Sequence, residues 1–458
     1  MANDLPHAEK TAAKQWEQAF RHAVDQTDRS PVPVRLYLEH RQDLTVESST
    51  GEPVRSTRTA WSGLSATRLG TSPRFLYHSD PALEDLERIA QPARDDRLRH
   101  PEREKVGKRP TREVEGLREA DASSPLATVM ERLGAAAPDA EIRGRAVAFE
   151  QFVRVGGSGA ECAADRRSGL RLRFEAGLRR GARSSRAVFE AVRPPTAPGF
   201  DEERLEKTAL ALAERLESRL DAREAPSGEY PVVLARGVGG VLVHEIVGHA
   251  LEADTVLGGG SWLATLSGDV APRDLVILDD PRRGRAAWRV DDEGCRSRAT
   301  PLIGEGRVTG WLHDSASAAA SGRRPTGHGR RSSFREPVKP RMGCTFIAAG
   351  RCDADEVLSG LDKGVYIRRM EAASIDLASG RAVFRVTDSD LVQRGRIERP
   401  LLAHLLVVDG KRALEQIDRV AEDLEFDTCV GSCHRDGQPL AISVGAPTIR
   451  IGVSWVVT

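Results

Sequence analysis

Two kinds of hydrophobic periodicity run through the first half of the chain. Apolar residues recur at helical spacing near its start, at Ala12, Ala13, Trp16, Phe20 and Val24. Alternating or apolar runs predict strands in four places: residues 34–38, 145–155, 170–176 and 187–192. Gly- and Ser-rich turns are predicted between the last three, at residues 156–159 and 184–185. The pattern predicts an α/β domain.

The second half carries shorter apolar runs. The clearest helix of the chain spans residues 201–224, with leucines on one face and charged residues on the other. Buried strands are predicted at residues 232–234, 275–278, 383–386 and 402–408. Asp409-Gly410 is a turn signal, and a helix is predicted after it over residues 413–420. This half is predicted to be strand-rich.

One stretch breaks the pattern of the first half. Residues 92–124 are rich in mixed charges and prolines and contain almost no large apolar residue. They predict a solvated linker or surface excursion. The whole chain is therefore predicted to be an α+β protein of two domains, an N-terminal α/β domain over residues 1–225 and a C-terminal α+β domain over residues 226–458.

Composition and charge exclude some classes of partner. The 458 residues are 40% hydrophobic, which is enough to build real cores. Lys plus Arg equals Asp plus Glu at 68 each, so no net field attracts the chain to nucleic acid or to an anionic membrane. The start of the chain lacks the pattern of a signal peptide, and no run approaches the roughly 18 apolar residues of a spanning helix. A cytoplasmic location follows, in which the six cysteines are predicted to be thiols or ligands.

The segment with the clearest chemical signal is an apolar run that contains His244, Glu245 and His249. Two imidazoles can bind zinc, and a carboxylate beside the first can accept a proton from a metal-bound water. Five residues separate the histidines, which places them roughly 140° apart on an ideal helix. A π-type bulge would bring both rings to one side, and Gly248 is the residue best suited to permit it. The motif alone also occurs as a surface or capping feature.

Further blocks of sequence resemble the TldD/TldE (PmbA) family of bacterial and archaeal metallopeptidases, and follow its TldD branch. The matching blocks occur in the family's order: residues 291–294, 312–314, 325–331, 340–342 and 364–370. The resemblance implies a TldD/PmbA-like fold whose C-terminal domain holds one zinc ion per chain. It implies His244, His249 and Cys433 as zinc ligands and Glu245 as the catalytic base. It also implies a dimer, either with a TldE-like chain or with a second copy.

Other candidate residues keep two interpretations. His328, Arg330 and Arg331 are candidates for binding substrate or stabilising an oxyanion, and the two arginines are equally candidates for structural ion pairs. Glu252 and Asp254 either orient a ligand ring or solvate a helix end. Cys429, four residues before Cys433, is predicted to be an inert thiol rather than a second thiolate ligand.

Three functions remain open from the sequence. The first is a zinc peptidase that binds extended peptides as an added strand. The second is a zinc amidohydrolase for a small amide-containing metabolite, suggested by departures from the family pattern at Cys344, Glu371 and His434. The third is a catalytically silent partner subunit, which intact ligands and an intact base disfavour.

Overall fold

The computed structural model describes residues 7–28, 33–69, 74–79, 82, 86, 118–193, 200–427 and 431–457. Helices and strands in these ranges form an N-terminal and a C-terminal part, which confirms the predicted α+β class and the two-domain layout. In the same ranges, no helix has the length and apolar character needed to cross a membrane.

One antiparallel sheet forms the N-terminal part. Its strands are β1 (Val34–Ser49), β2 (Arg55–Arg68), β3 (Arg74–Ser79), β4 (Glu141–Gly157), β5 (Ala160–Arg180) and β6 (Arg183–Arg193). Their order is β3-β2-β1-β4-β5-β6, and every neighbouring pair is antiparallel. Because side chains alternate between the two faces of a strand, each long strand contributes one row of residues to each face.

Helices cover one face of this sheet. They are α1 (His7–Thr27), α2 (Glu119–Ala136) and α3 (Glu202–Ser218). The buried face of α1 packs on Leu36 of β1, and α2 and α3 pack on Val46 of the same strand and on Leu172 of β5. The opposite face, which includes Tyr37, contacts Phe334 of the C-terminal part. The sheet is therefore buried on both sides.

In the described residues, the C-terminal part contains most of the strands and four short α-helices. The strands are β7 (Gly228–Leu234), β8 (Ile277–Asp279), β9 (Thr300–Gly304), β10 (Arg307–Val308), β11 (Gly329–Arg330), β12 (Lys339–Pro340), β13 (Cys344–Ile347), β14 (Lys363–Asp376), β15 (Arg381–Gln393), β16 (Arg396–Pro400), β17 (His404–Asp409), β18 (Ile417–Val420), β19 (Glu425–Phe426), β20 (Ser432–Arg435), β21 (Gln438–Ala441), β22 (Ser443–Ala446) and β23 (Ile449–Val457). The helices are α4 (Gly239–Val243), α5 (Ala253–Leu257), α6 (Ser315–Ala320) and α7 (Gly410–Glu415).

Most of these strands form two large sheets, while β11 pairs with β12 and β20 pairs with β21. One has the order β10-β9-β8-β13-β22-β19, and the other has the order β14-β7-β23-β17-β15-β16, with β18 added beside β23. The segment that begins with α4 lies between them. Leu242 and Ile246 share one buried core with Ile303 of the first sheet and Ile367 of the second. The predicted metal-binding segment is thus held from two sides by packed strands.

Most predicted elements are present, and three details of the predictions are wrong. The predicted helix over residues 413–420 ends at Glu415, because residues 417–420 instead pair with β23 as strand β18. The predicted surface excursion over residues 92–124 ends too late, since α2 begins at Glu119; its earlier part lies outside the described residues. The turn predicted at residues 184–185 lies inside β6, and the actual turn contains Gly181 with φ +62°.

Candidate metal centre

The chain between His244 and His249 forms a π-helical turn. The turn spans His244–Gly248 and joins α4 to a 3-10 turn at His249–Leu251. The backbone N–H of His249 donates to the carbonyl oxygen of His244, five residues earlier, which is the π-helical hydrogen bond. The wider turn brings the two imidazole centroids to 5.0 Å, with their planes at 78°. The bulge predicted from the five-residue spacing is confirmed.

Gly248 is required at this turn for a reason that differs from the predicted one. Its φ of −57° and ψ of −57° lie in the ordinary helical region, which any residue can adopt. A Cβ atom on Gly248 would instead lie 1.9 Å from Sδ of Met342. The glycine therefore provides space for a packed side chain. The indole of Trp262 supports the same turn by donating to the carbonyl oxygen of Ile246 at 3.0 Å.

Cys433 completes a cluster with the two histidines. It lies on β20, in a two-stranded hairpin with β21, and its Sγ atom is 3.3 Å from Nε2 of His249. One potential ligand atom from each of His244, His249 and Cys433 lies within 4.8 Å of the others, and all three residues are buried. Over the described ranges, no other group of three metal-ligating side chains was found.

The chemistry of this donor set fits zinc. Two imidazole nitrogens and one thiolate are common ligands of a catalytic zinc ion, which keeps its fourth position for water or substrate. A buried polar atom also points to a missing partner, because Nδ1 of His244 has no hydrogen-bond partner among the described residues. Burial, with the neighbouring His249 and Arg341, lowers the pKa of His244 well below its ordinary value. That shift favours the neutral ring, the form that binds metal.

A buried carboxylate orients the second ligand. Oε2 of Glu252 lies 2.9 Å from Nδ1 of His249, so Nε2 of this ring is the nitrogen that faces Cys433. Glu252 is fully buried, and Arg435 forms an ion pair with it. Although burial opposes a charged ring, Glu252 and Cys433 raise the pKa of His249 well above its ordinary value. The predicted orienting role of Glu252 thus rests on a hydrogen bond to a ligand ring.

Glu245 is the residue directly after His244 in the π turn, and it is half-buried. Burial raises the pKa of its carboxyl group, Glu252 raises it further, and His249 opposes the shift. The carboxylate is therefore next to one metal-ligand candidate and within electrostatic reach of another.

The predicted substrate residues lie in other surroundings. His328 is fully buried, with Nε2 3.0 Å from Oδ1 of Asp279. Nε of Arg330 donates to Asp292 at 3.0 Å, and its guanidinium lies 4.0 Å from the centroid of the Trp288 ring. None of these contacts involves the His–His–Cys cluster.

Arg331 has a partner in the N-terminal sheet. Its Nη1 atom donates to Oγ of Ser65 at 2.8 Å, and its guanidinium lies 4.5 Å from the centroid of the Tyr37 ring. The side chain is almost completely buried. Arg330 thus forms an ion pair with Asp292, and Arg331 packs on Tyr37 and donates to Ser65. The substrate role of these two arginines and of His328 stays a prediction.

The residues that depart from the family pattern are spread over the C-terminal part. Cys344 is buried inside β13, and burial raises the pKa of its thiol well above its ordinary value. Glu371 is exposed on β14, and His434 is exposed beside the ligand candidate Cys433. Cys429 lies outside the described residues. Of these positions, His434 is the one next to the cluster in sequence.

A cavity of about 690 Å³ opens between β5 and the loop that contains Glu293 and Cys295. Arginines, including Arg289 and Arg296, form part of its lining. No member of the His–His–Cys cluster lines it, so the cavity gives no measure of the space available to a substrate at that cluster.

Comparison with known proteins identifies the family. Residues 227–456 match the sequence profile described as the PmbA/TldA metallopeptidase C-terminal domain. The chain belongs to this family. The TldD/TldE resemblance inferred from separate sequence blocks is thereby confirmed.

Curated TldD relatives are similar over about half of the chain. This TldD/TldE family chain is 34% identical over 235 residues to a metalloprotease TldD homolog of Buchnera aphidicola from Schizaphis graminum, covering 51% of this chain and 49% of the relative. It is 28% identical over 256 residues to a zinc metalloprotease TldD homolog of Saccharolobus solfataricus, covering 55% and 57%. The chain spans about half the length of the curated relatives it matches.

Solved structures are similar over nearly the whole chain. TldE from Thermococcus kodakarensis aligns with a TM-score of 0.77 at 14% identity, covering 97% of this chain and all of that one. A putative modulator of a DNA gyrase from Thermotoga maritima aligns with a TM-score of 0.76 at 17% identity, covering 96% and 100%. At this identity the likeness shows that the TldD/TldE family fold is shared.

Sequence reasoning missed the residues that support the cluster from outside. Arg341 contacts the ligand candidate Cys433, and Met342 packs against Gly248 in the π turn. Arg435 forms an ion pair with Glu252, the carboxylate beside His249. The sequence did mark residues 340–342 as a block that matches the family, but this match gave no role to Arg341 or Met342. Their roles depend on contacts that are distant in sequence.

Proposed function

We propose that this chain is a zinc-dependent peptidase that hydrolyses amide bonds in extended or modified peptides. The observation that carries the proposal is the buried cluster of His244, His249 and Cys433 with Glu245 in the same π turn. The name of the Saccharolobus solfataricus relative supports zinc as the metal. One zinc ion per chain is expected, because the three side chains make a single site.

The proposed residue roles follow from position. His244 and His249 would supply nitrogen ligands, and Cys433 would supply a thiolate. Zinc bound there would lower the pKa of a water molecule to about 7 and polarise the scissile carbonyl group. Glu245 would take the proton from the attacking water and deliver it to the leaving amine. Glu252 would keep the His249 ring in the orientation that presents Nε2.

Substrate and partner belong to the same proposal. An extended peptide can bind by adding a strand to a sheet edge, which recognises backbone rather than one sequence. A small amide-containing metabolite is the second candidate, favoured by the exposed imidazole of His434 beside Cys433. A dimer with a TldE-like chain is the proposed assembly, and a homodimer is the alternative.

The test compares the wild-type protein with Glu245→Gln on unstructured peptides and on dipeptide-like amides. Removing the base while keeping the shape should lower turnover at least roughly 10²-fold, with zinc content unchanged. Glu415→Gln, which changes an exposed carboxylate on α7, is the matched control and should keep full activity. Full activity in Glu245→Gln would reject the assigned base. Faster cleavage of small amides than of long peptides would favour the second candidate.

A further inference from the structure

Arg341 is a buried arginine that contacts the third ligand candidate. It follows β12 directly and is only 1% exposed. Its Nη2 atom lies 3.2 Å from Sγ of Cys433 and donates to the carbonyl oxygen of the same residue at 3.2 Å. An arginine is rarely buried to this degree without a partner for its charge. Here the sulfur and the surrounding oxygens provide that partner.

The same guanidinium joins both strands of the hairpin that carries Cys433. While Nη2 contacts Cys433 on β20, Nη1 donates to the carbonyl oxygen of Gln438 on β21 at 3.3 Å. Nε faces Oε1 of Glu252 at 3.7 Å, and the other oxygen of Glu252 holds His249. Arg341 therefore connects the β20–β21 hairpin with Glu252, the carboxylate that orients His249.

Hydrogen bonds to neighbouring segments hold the backbone around Arg341 in place. The N–H of Arg341 donates to the carbonyl oxygen of His328 at 2.9 Å, and the N–H of Gly343 donates to Asp279 at 2.9 Å. Between them, Met342 packs against Gly248 in the π turn. One short segment thus contacts both the histidine turn and the cysteine hairpin.

Chain connectivity does not place Cys433 near the histidines, since 184 residues separate it from His249. Tertiary contacts must hold its sulfur in place. We propose that Arg341 is a positioning residue, whose guanidinium fixes Sγ of Cys433 beside the two histidines. The inference rests on the proposed function, because it concerns the third ligand of that metal site.

The chemistry of the side chain explains why an arginine occupies this position. A planar guanidinium can donate to several acceptors in fixed directions, whereas a lysine ammonium is a single point of charge. Its permanent charge also faces the negative charge that a thiolate ligand carries. Lysine should therefore keep the charge but lose part of the geometry.

The experiment loads the purified protein with Co²⁺ in place of zinc and uses two readouts besides activity. One is the affinity for Co²⁺ and Zn²⁺, measured by competition with a chelator. The other is the near-ultraviolet charge-transfer absorption that a thiolate bound to Co²⁺ produces. Arg341→Met keeps an apolar stem of similar length, and Arg341→Lys keeps the charge. Arg419→Met, which replaces an exposed arginine on β18, is the matched control.

In Arg341→Met, affinity for either metal should fall about 10–100-fold, the usual range for loss of a supporting contact, and the charge-transfer absorption should weaken. Arg341→Lys should lie between this variant and the wild type, and Arg419→Met should match the wild type. Unchanged affinity and absorption in Arg341→Met would overturn the inference. If circular dichroism shows that this variant does not fold, Arg341→Lys decides in the same way: wild-type absorption and affinity would overturn the inference. Wild-type protein that binds no Co²⁺ would instead refute the proposed metal site.

Discussion

Replacing Gly248 by alanine tests whether the π turn depends on space or on backbone freedom. The backbone angles of Gly248 are helical, so alanine can adopt them without strain. The added Cβ, however, would lie 1.9 Å from Sδ of Met342 and 3.2 Å from the Cγ and Cε atoms of the same side chain. Met342 is only 2% exposed, so its displacement must disturb the packing around it.

The expected magnitude is the difference between two opposing effects. Overpacking a filled core costs about 1–3 kcal/mol. Replacing glycine by alanine at a compatible position stabilises by about 0.4–1 kcal/mol, mainly through the unfolded chain. These ranges bound the net destabilisation of Gly248→Ala between about 0 and about 2.6 kcal/mol, and their middle values give about 1–2 kcal/mol. For a domain of this size, the thermal midpoint should fall by about 2–8 °C.

The assay is thermal unfolding of four proteins, the wild type, Gly248→Ala, Met342→Ala and the double variant. Met342→Ala alone should cost about 2–5 kcal/mol, because it leaves a cavity. In the double variant the alanine methyl enters that space, so the total cost should be less than the sum by about 0.5–3 kcal/mol. Additive costs would refute the steric explanation. They would mean that the turn needs glycine for its backbone conformation and not for the space beside Met342.

A helical glycine with free space provides the control. Gly134 lies within α2, and the nearest atom to a Cβ built there is Cδ1 of Ile142, at 4.0 Å. Gly134→Ala should stabilise the protein by up to about 1 kcal/mol, since alanine is the better helix former. A loss of stability at both glycines would indicate a general sensitivity to this substitution rather than contact with Met342.

Three further predictions concern the support of the cluster and a buried carboxyl group. Glu252→Gln should lower zinc affinity about 10–100-fold by loosening the His249 ring, measured by competition with a chelator; unchanged affinity would remove Glu252 from the site. Cys433→Ser should lower metal content, because a hydroxyl is a poor substitute for thiolate, whereas Cys429→Ser should not; equal losses would mean that the wrong cysteine was chosen. Burial raises the pKa of Asp291 from its ordinary value of 3.8 to about 7. Because the pKa is higher in the folded chain, protonation of Asp291 stabilises the fold below about pH 4, and this stabilisation is lost as the pH rises to about 7. The thermal midpoint of the wild type should therefore fall between about pH 5 and about pH 8, and it should fall less in Asp291→Asn. An unchanged pH dependence would contradict the raised pKa of Asp291.

Local geometry made part of the site predictable from sequence. An α-helix turns by a fixed angle per residue, so a five-residue spacing between His244 and His249 required a wider turn for the two rings to meet. Four strands of the N-terminal sheet, β1, β4, β5 and β6, were predictable from their apolar patterns, whereas β2 and β3 were not predicted. The identity of the third ligand came from resemblance to a family, since no local pattern connects Cys433 to the histidines.

Features that depend on distant partners were not predictable in this way. Residues 417–420 have a helical pattern, but a free edge beside β23 gives them a strand partner. For Arg331 the sequence left a structural and a substrate role open, and its hydrogen-bond partner Ser65 lies 266 residues earlier in the chain. Arg341 had no assigned role because Cys433 lies 92 residues away from it. In each case the deciding contact joins parts of the chain that sequence periodicity treats separately.

The most direct test of the central claim is the metal content of the wild-type protein, purified without added zinc and measured by elemental analysis. The proposed site predicts about one zinc ion per chain, the number that a single cluster of three ligands can hold. A protein that contains no zinc, and binds none when zinc is added, would contradict the proposed peptidase and favour a catalytically silent partner subunit.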